Sequence, residues 1–230
     1  MNLIAIDSCS SVLSIALSFG NETLYSETEE PMKHSELVIV MMDEAMKKAS
    51  VEPSELHGVL CMGGPGSFTG LRIGYSIAKG LALSLSIPFF PVPTLECIAY
   101  SKKDHPLVLA VLEARKNAYF YAFFKNNERI SQDKDALGVQ ITEEIKSIID
   151  TGTSPILLTG PGASLLYNSM PEQTQNRISL DIQIKGYARE LIAIALNNNI
   201  LKNDCEKYLY SGPEYIRETD AQLALNSQVR

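Results

Sequence analysis

The chain has no tryptophan, only three histidines and four cysteines in 230 residues, and its Lys and Arg are outnumbered 20 to 27 by Asp and Glu. Each shortage removes a class of function. Cys9, Cys61, Cys97 and Cys205 lie far apart and form no Cys-x-x-Cys pair, which leaves out zinc ribbons and dithiol redox motifs. The first three sit in or beside apolar segments and read as buried free thiols. His34, His57 and His105 are isolated from one another and read as structural or solvated, so no metal is expected. A formal charge of -7 with no basic cluster repels phosphate backbones, so nucleic acid is expected only through a basic partner. No apolar run approaches the roughly 20 residues of a membrane span. The N-terminus enters the apolar stretch Leu3–Ile6 without a basic region or cleavage site, so a cytoplasmic protein with no membrane contact is expected.

What is present can fold. With 45% hydrophobic and 20% charged residues, the chain can bury a sizeable core. Leu3–Ile6 reads as a strand ending in Asp7; Val12–Phe19 and Glu22–Thr28 read as two more, joined at the hairpin signal Gly20-Asn21. A helix capped by Ser35 runs to about Ala49, followed by strand Val59–Met62, helix 71–85, strand Phe89–Val92 and helix Thr94–Tyr100. After the polar break at 102–106 the order recurs: strands at Leu107–Leu112, Ala118–Phe124 and Arg129–Val139, helix Thr142–Asp150, strand Ile156–Thr159, helices Ala163–Ser169 and Gly186–Asn199. Two α/β lobes are expected, 1–103 and 104–230, with 218–230 a polar tail.

Between strand Val59–Met62 and its helix lies Gly63-Gly64-Pro65-Gly66-Ser67-Phe68-Thr69-Gly70, with four glycines in eight residues. Such a loop allows positive φ or very close approach, and N–H groups at a helix start can meet an anion. Yet no Lys follows the last glycine, so it is not a Walker A loop, and Ser67 lacks the glycine spacing of a nucleophile elbow. The loop is built for shape and contact. Asp7, Ser8 and Ser10, with Gly63, Gly64, Gly66 and Ser67, are the candidates for a phosphate or nucleotide contact; turn formation explains the serines equally well.

An Asp ending the first strand, followed by Ser8-Cys9-Ser10-Ser11 and a hairpin, resembles the first phosphate loop of the actin-like ATPase (RNase H-like) fold, a duplicated βββαβα lobe. Together with His34-Ser35-Glu36, the block 63–74, Glu113–Tyr121 and Pro213–Arg217, the chain closely resembles the TsaB (YeaZ) family. That resemblance implies a non-catalytic paralogue of the threonylcarbamoyl transferase TsaD. It would dimerise with TsaD, or with itself when TsaD is absent, and work with the ATPase TsaE in forming threonylcarbamoyladenosine beside the tRNA anticodon. Bound ATP or ADP on this subunit is doubtful. The rival is an actin-fold metalloprotein of the glycoprotease type with hydrolase activity of its own. Two departures bear on this. Glu113 stands where the family usually has Asp. The transferase's metal motif has a second histidine four residues after the first, where this chain has Val38, which offers a metal no lone pair.

Two helices carry the expected partner face. Leu37 to Met42 are six apolar residues in a row, more than one turn of a helix with about 3.6 residues per turn; a surface helix would show a one-sided stripe. The helix is either buried within its own lobe or shared with a partner through Leu37, Val38, Met41, Met42 and Ala45. In helix 71–85, Gly70, Gly74, Ala78 and Ala82 make a ridge of small residues that admits another helix, with Arg72 and Tyr75 on a polar face; ordinary packing on the sheet is the alternative. Glu113 and Arg115 form a structural pair or meet a cleft, and Gly160-Pro161-Gly162 is a tight turn.

Overall fold

The computed structural model describes residues 1–30, 33–152, 154–198 and 206–216. Strands β1 (Leu3–Asp7), β2 (Leu13–Phe19) and β3 (Glu22–Thr28) form an antiparallel meander. Strands β4 (Gly58–Gly64) and β5 (Phe89–Pro93) extend it in parallel beyond β1, giving the order β3-β2-β1-β4-β5. The second half repeats the plan. There β6 (Leu107–Arg115), β7 (Ala118–Lys125) and β8 (Glu128–Arg129) are antiparallel, with β9 (Lys134–Leu137) also on β7. Strands β10 (Ile156–Thr159) and β11 (Ile178–Leu180) complete the order β11-β10-β6-β7-β8, the mirror listing of the first sheet.

Helices α1 (His34–Ala49) and α2 (Phe68–Leu85) cover the outer face of the first sheet. Next, α3 (Thr94–Tyr100) turns inward. Helices α4 (Gly138–Thr151) and α5 (Ala163–Ser169) cover the outer face of the second sheet, and a short α6 (Glu172–Gln175) leads to β11. Helix α7 (Ala188–Asn197) joins α3 between the sheets. These inner helices exchange halves: α3 lies on β6 and β7, whereas α7 lies on β1, β2 and β4. Strand alternation sorts the layers. Leu3 and Ala5 face the inner helices, while Ile4 and Ile6 face Val38, Met42 and Ala78 outside. Because both faces are covered, the central strands read as continuous apolar runs. Finally α8 (Glu206–Tyr210) returns to β5.

Several boundaries differ from the sequence expectation. Helix α1 begins at His34, and its cap position is Lys33 with no side-chain hydrogen bond, so Ser35 is inside the helix. Helix α2 begins at Phe68, where Ser67 Oγ accepts the Gly70 N–H at 3.3 Å, so the end of the glycine loop is already helical. Helix α4 starts at Gly138; Thr142 lies in its first turns and donates back to the Gly138 carbonyl at 2.7 Å. The single strand expected over 129–139 is two short ones, and α7 starts at Ala188. Helices α6 and α8, strand β11 and a 3-10 turn at Pro53–Glu55 were not foreseen; each is too short for a periodic signal. Cys205, Arg217 and the tail 218–230 lie outside the described residues.

Candidate functional site

A cleft of about 650 Å³ opens between the halves. Ser8–Ser11, the first residues of α1 and α2, the end of β6 at Leu112–Ala114, and Pro161 line it. Of the expected contacts, Ser8, Ser10 and Ser67 reach it, as does the backbone of Gly70. Their hydroxyls are engaged in the chain. Ser8 Oγ donates to the Gly70 carbonyl at 2.8 Å, Ser10 Oγ bonds the Val12 carbonyl at 3.3 Å, and Ser67 caps α2. Glu113 meets the cleft and forms no ion pair with Arg115, and the lining has no Lys or Arg among the described residues. A carboxylate without a facing cation opposes a polyphosphate by Coulomb repulsion. His34 also lines the cleft, is only 7% exposed, and its Nε2 has no partner.

Gly63, Gly64 and Gly66 are explained by close packing against neighbouring segments. A side chain at Gly66 would meet Cys9 Cβ at 2.9 Å, and one at Gly63 would meet the Val92 carbonyl at 3.1 Å. Gly64 has φ +112° and lies against the carbonyl of Glu214, whose N–H donates to the Gly63 carbonyl at 2.8 Å. Gly160, at φ +109°, makes the expected turn at Pro161.

Asp7 does not face the cleft; it is wholly buried and serves as a helix cap. Its carboxyl accepts the Tyr187 N–H at 2.8 Å and the Cys9 N–H at 3.2 Å, with Cys9 Sγ at 3.3 Å. Ser14 Oγ accepts the Ala188 N–H at 3.1 Å. The first N–H groups of α7, which a helix cannot satisfy itself, are thus satisfied by β1 and β2. Burial pushes the Asp7 carboxyl up despite hydrogen bonds from Tyr187 and Cys9 that pull it down. Burial also raises the Cys9 thiol well above its usual range, assisted by the nearby Asp7. A nucleophilic thiolate is disfavoured there. Sequence reasoning missed Ser14 and Tyr187 as parts of this joint; the signal available was a hydroxyl at Ser14 inside an otherwise apolar strand.

The expected partner residues divide into two sets. Val38, Met42, Ala45, Gly70, Gly74, Tyr75, Ala78 and Ala82 are buried against their own sheet. Gly70 and Gly74 back onto Ser8, so the small-residue ridge lets α2 approach the β1–β2 loop and offers nothing outward. Leu37 and Met41 are half-buried, and Arg72 is exposed. Ile73, Ile77 and Leu81, read from the sequence as residues that can serve the core, are half-buried and pack against it, while Ile39 and Val40 of the six-residue run, at 53% and 49% exposure, and Leu83, at 63%, lie outside. The two helices pack side by side, so these residues share one side of the molecule.

Known proteins match this arrangement. The chain is 31% identical over 132 residues to the tRNA threonylcarbamoyladenosine biosynthesis protein TsaB of Escherichia coli, covering 56% of this chain and 57% of that one. It is 29% identical over 172 residues to the protein of the same name from Bacillus subtilis, covering 72% and 73%. The family model described as TsaD, tRNA N6-adenosine threonylcarbamoyltransferase, matches residues 28–224. The chain belongs to this family, on its TsaB/YeaZ branch. The match to the Escherichia coli relative thus spans somewhat more than half of that protein's length. YeaZ from Pseudomonas aeruginosa superposes with a TM-score of 0.76 at 20% identity, covering 94% of this chain and 99% of that chain. The YeaZ likeness establishes the actin-like α/β fold. Within the family frame, the position four residues after His34 is Val38, buried in the outer core, so the donor set of a two-histidine metal site is incomplete here.

Proposed function

We propose that this chain is a non-catalytic, cytoplasmic subunit in the formation of threonylcarbamoyladenosine in tRNA, docking TsaD through the outer faces of α1 and α2. The observation that carries this is the apolar side formed by Ile39, Val40 and Leu83 with their half-buried neighbours, which nothing in the described chain covers. Exposed apolar side chains on neighbouring outer helices suit an interaction site. The heterodimer recruits TsaE, and in the absence of TsaD the same side pairs two copies. Any gain in rate comes from binding the competent state of TsaD more tightly than the idle one. With a charge of -7, the subunit meets tRNA through its partners. The cleft supports a subunit that works without its own nucleotide, given Glu113 and engaged hydroxyls.

The rival, an actin-fold metalloprotein with its own hydrolase activity, draws on one observation, the unpartnered Nε2 of His34 in the cleft. Metal analysis of the purified protein separates the two; stoichiometric bound metal supports the rival. The docking proposal is tested by reconstituting tRNA modification with TsaD, TsaE and either wild type or Ile39→Asp/Leu83→Asp. An exposed aspartate leaves the free subunit folded but places an unpaired charge in an apolar contact, a loss of about 2 kcal/mol or more. Modification is expected to fall to the level seen without this subunit. Full activity of the folded double variant refutes the proposal.

A further inference from the structure

Arg72 and Lys79 lie two turns apart on one side of α2, and the chain treats them differently. Lys79 Nζ donates to the carbonyls of Leu209, at 2.9 Å, and of Ser211, and sits over the Tyr75 ring at 5.7 Å. Its charge is engaged by the last carbonyls of α8 and the residue beyond. Arg72 is held with no ion pair among the described residues. Its guanidinium carbon stands 3.8 Å from the centre of the Phe68 ring, and its Nε donates to Tyr215 Oη at 3.4 Å. The Phe68 and Tyr215 rings are themselves 4.8 Å apart. Among the described residues no carboxylate lies within ion-pair distance of Arg72, and its terminal nitrogens have no acceptor.

Tyr215 arrives there through a defined path. Beyond α8, Ser211–Ile216 passes over the C-terminal end of β4, pinned by the Glu214 N–H to the Gly63 carbonyl. Gly64 lies directly beneath the Glu214 carbonyl, where a side chain has no room. The strap therefore delivers a phenol to the cation of α2 that is exposed and has no ion pair among the described residues.

We propose that the segment Ser211–Ile216 belongs to the docking face, with Tyr215 as the positioning residue that holds Arg72 for a carboxylate on the protein partner. This rests on the docking proposal above. Arg72 lies on the same exposed stripe of α2 as Leu83, about three turns away, so the charge shares a face with part of the apolar side. A stacked guanidinium presents a planar fork that matches a carboxylate with two parallel hydrogen bonds. Because it is already ordered, little further freedom is lost on binding. One such cation on a chain of charge -7 suits a single acidic side chain; RNA binding by backbone contacts needs several cations together.

The test measures the affinity of the full chain for TsaD, at low and moderate salt, with wild type, Arg72→Gln, Tyr215→Ala, Tyr215→Phe and the Arg72→Gln/Tyr215→Ala double variant. Melting curves verify that each variant folds, which exposed positions favour. Arg72→Gln is expected to weaken binding about tenfold and to flatten its salt dependence. Tyr215→Ala is expected to weaken it about fivefold, and Tyr215→Phe, which keeps the ring, about twofold. The double variant is expected to be no weaker than Arg72→Gln alone, because the two residues act as a unit. Folded variants that bind like wild type overturn the proposal, as do additive effects in the double variant. Intact TsaD binding with reduced tRNA retention by the complex also overturns it, since the anion would then be RNA phosphate. If wild type itself fails to bind TsaD, the docking proposal falls first.

Discussion

Replacing Asp7 by Asn separates a strut from a ligand-binding carboxylate. The aspartate offers two acceptor oxygens to three donors, Tyr187 N–H at 2.8 Å, Cys9 N–H at 3.2 Å and Cys9 Sγ at 3.3 Å. The asparagine amide offers one acceptor and, on its other arm, two more donors. Whichever way it turns, an NH2 group faces a donor, and at least one buried N–H loses its acceptor. An orphaned buried donor costs about 1–3 kcal/mol, and two donors facing each other bring the sum to roughly 2–3 kcal/mol even after removal of a buried acid. In a chain of this size that is a fall in melting temperature of about 4–10 °C. Urea unfolding gives the free energy directly. The pH dependence has a defined sign, because burial raises the Asp7 carboxyl. Its contribution to wild-type stability is fully present below the ordinary aspartate range and is lost as pH rises through the raised value. Asparagine does not titrate, so the deficit of Asp7→Asn is largest at the acid end of that window and shrinks above it. A variant as stable as wild type would falsify the cap assignment; a deficit that widens with rising pH would show that the hydrogen bonds lower the carboxyl more than burial raises it.

Two further outcomes follow from burial. Gly74→Leu is expected to destabilise the free subunit by about 3 kcal/mol or more, since any side chain at Gly74 meets Ser8 Oγ at 2.9 Å; a melting curve matching wild type would place that position on an outer crossing instead. Cys9, Cys61 and Cys97 are buried, and burial raises all three thiols, so iodoacetamide at neutral pH is expected to leave them unmodified in the native protein and to label them in urea. Peptide mapping reads this out, and rapid native labelling of any of the three contradicts it.

The duplicated lobe was legible because its central strands are strongly apolar and its hairpin, at Gly20-Asn21, has a local signature. Strand β11 was not, because a three-residue edge strand has no period to detect; only the mirrored sheet order reveals it as the counterpart of β5. On α1, six apolar residues in a row announce burial on more than one side but do not say which side is home. Val38, Met42 and Ala45 face the sheet, leaving Ile39 and Val40 outside. The ridge at Gly70, Gly74, Ala78 and Ala82 correctly signalled a close approach, yet small residues are silent about whether the approaching element is another chain or the loop at Ser8. Asp7 shows the same limit. Its position at a strand end suggests chemistry, and the partner that changes the meaning, the N–H of Tyr187, lies 180 residues away.

The exchange of α3 and α7 between the sheets dovetails the two lobes. Prising the cleft apart would drag α7 off β1 and β2 and pull its cap from Asp7 and Ser14, so widening the cleft and dismantling the middle of the protein are one event. Here one buried carboxylate and one strand hydroxyl of the first half hold the start of a helix from the second, so the two halves share a single joint.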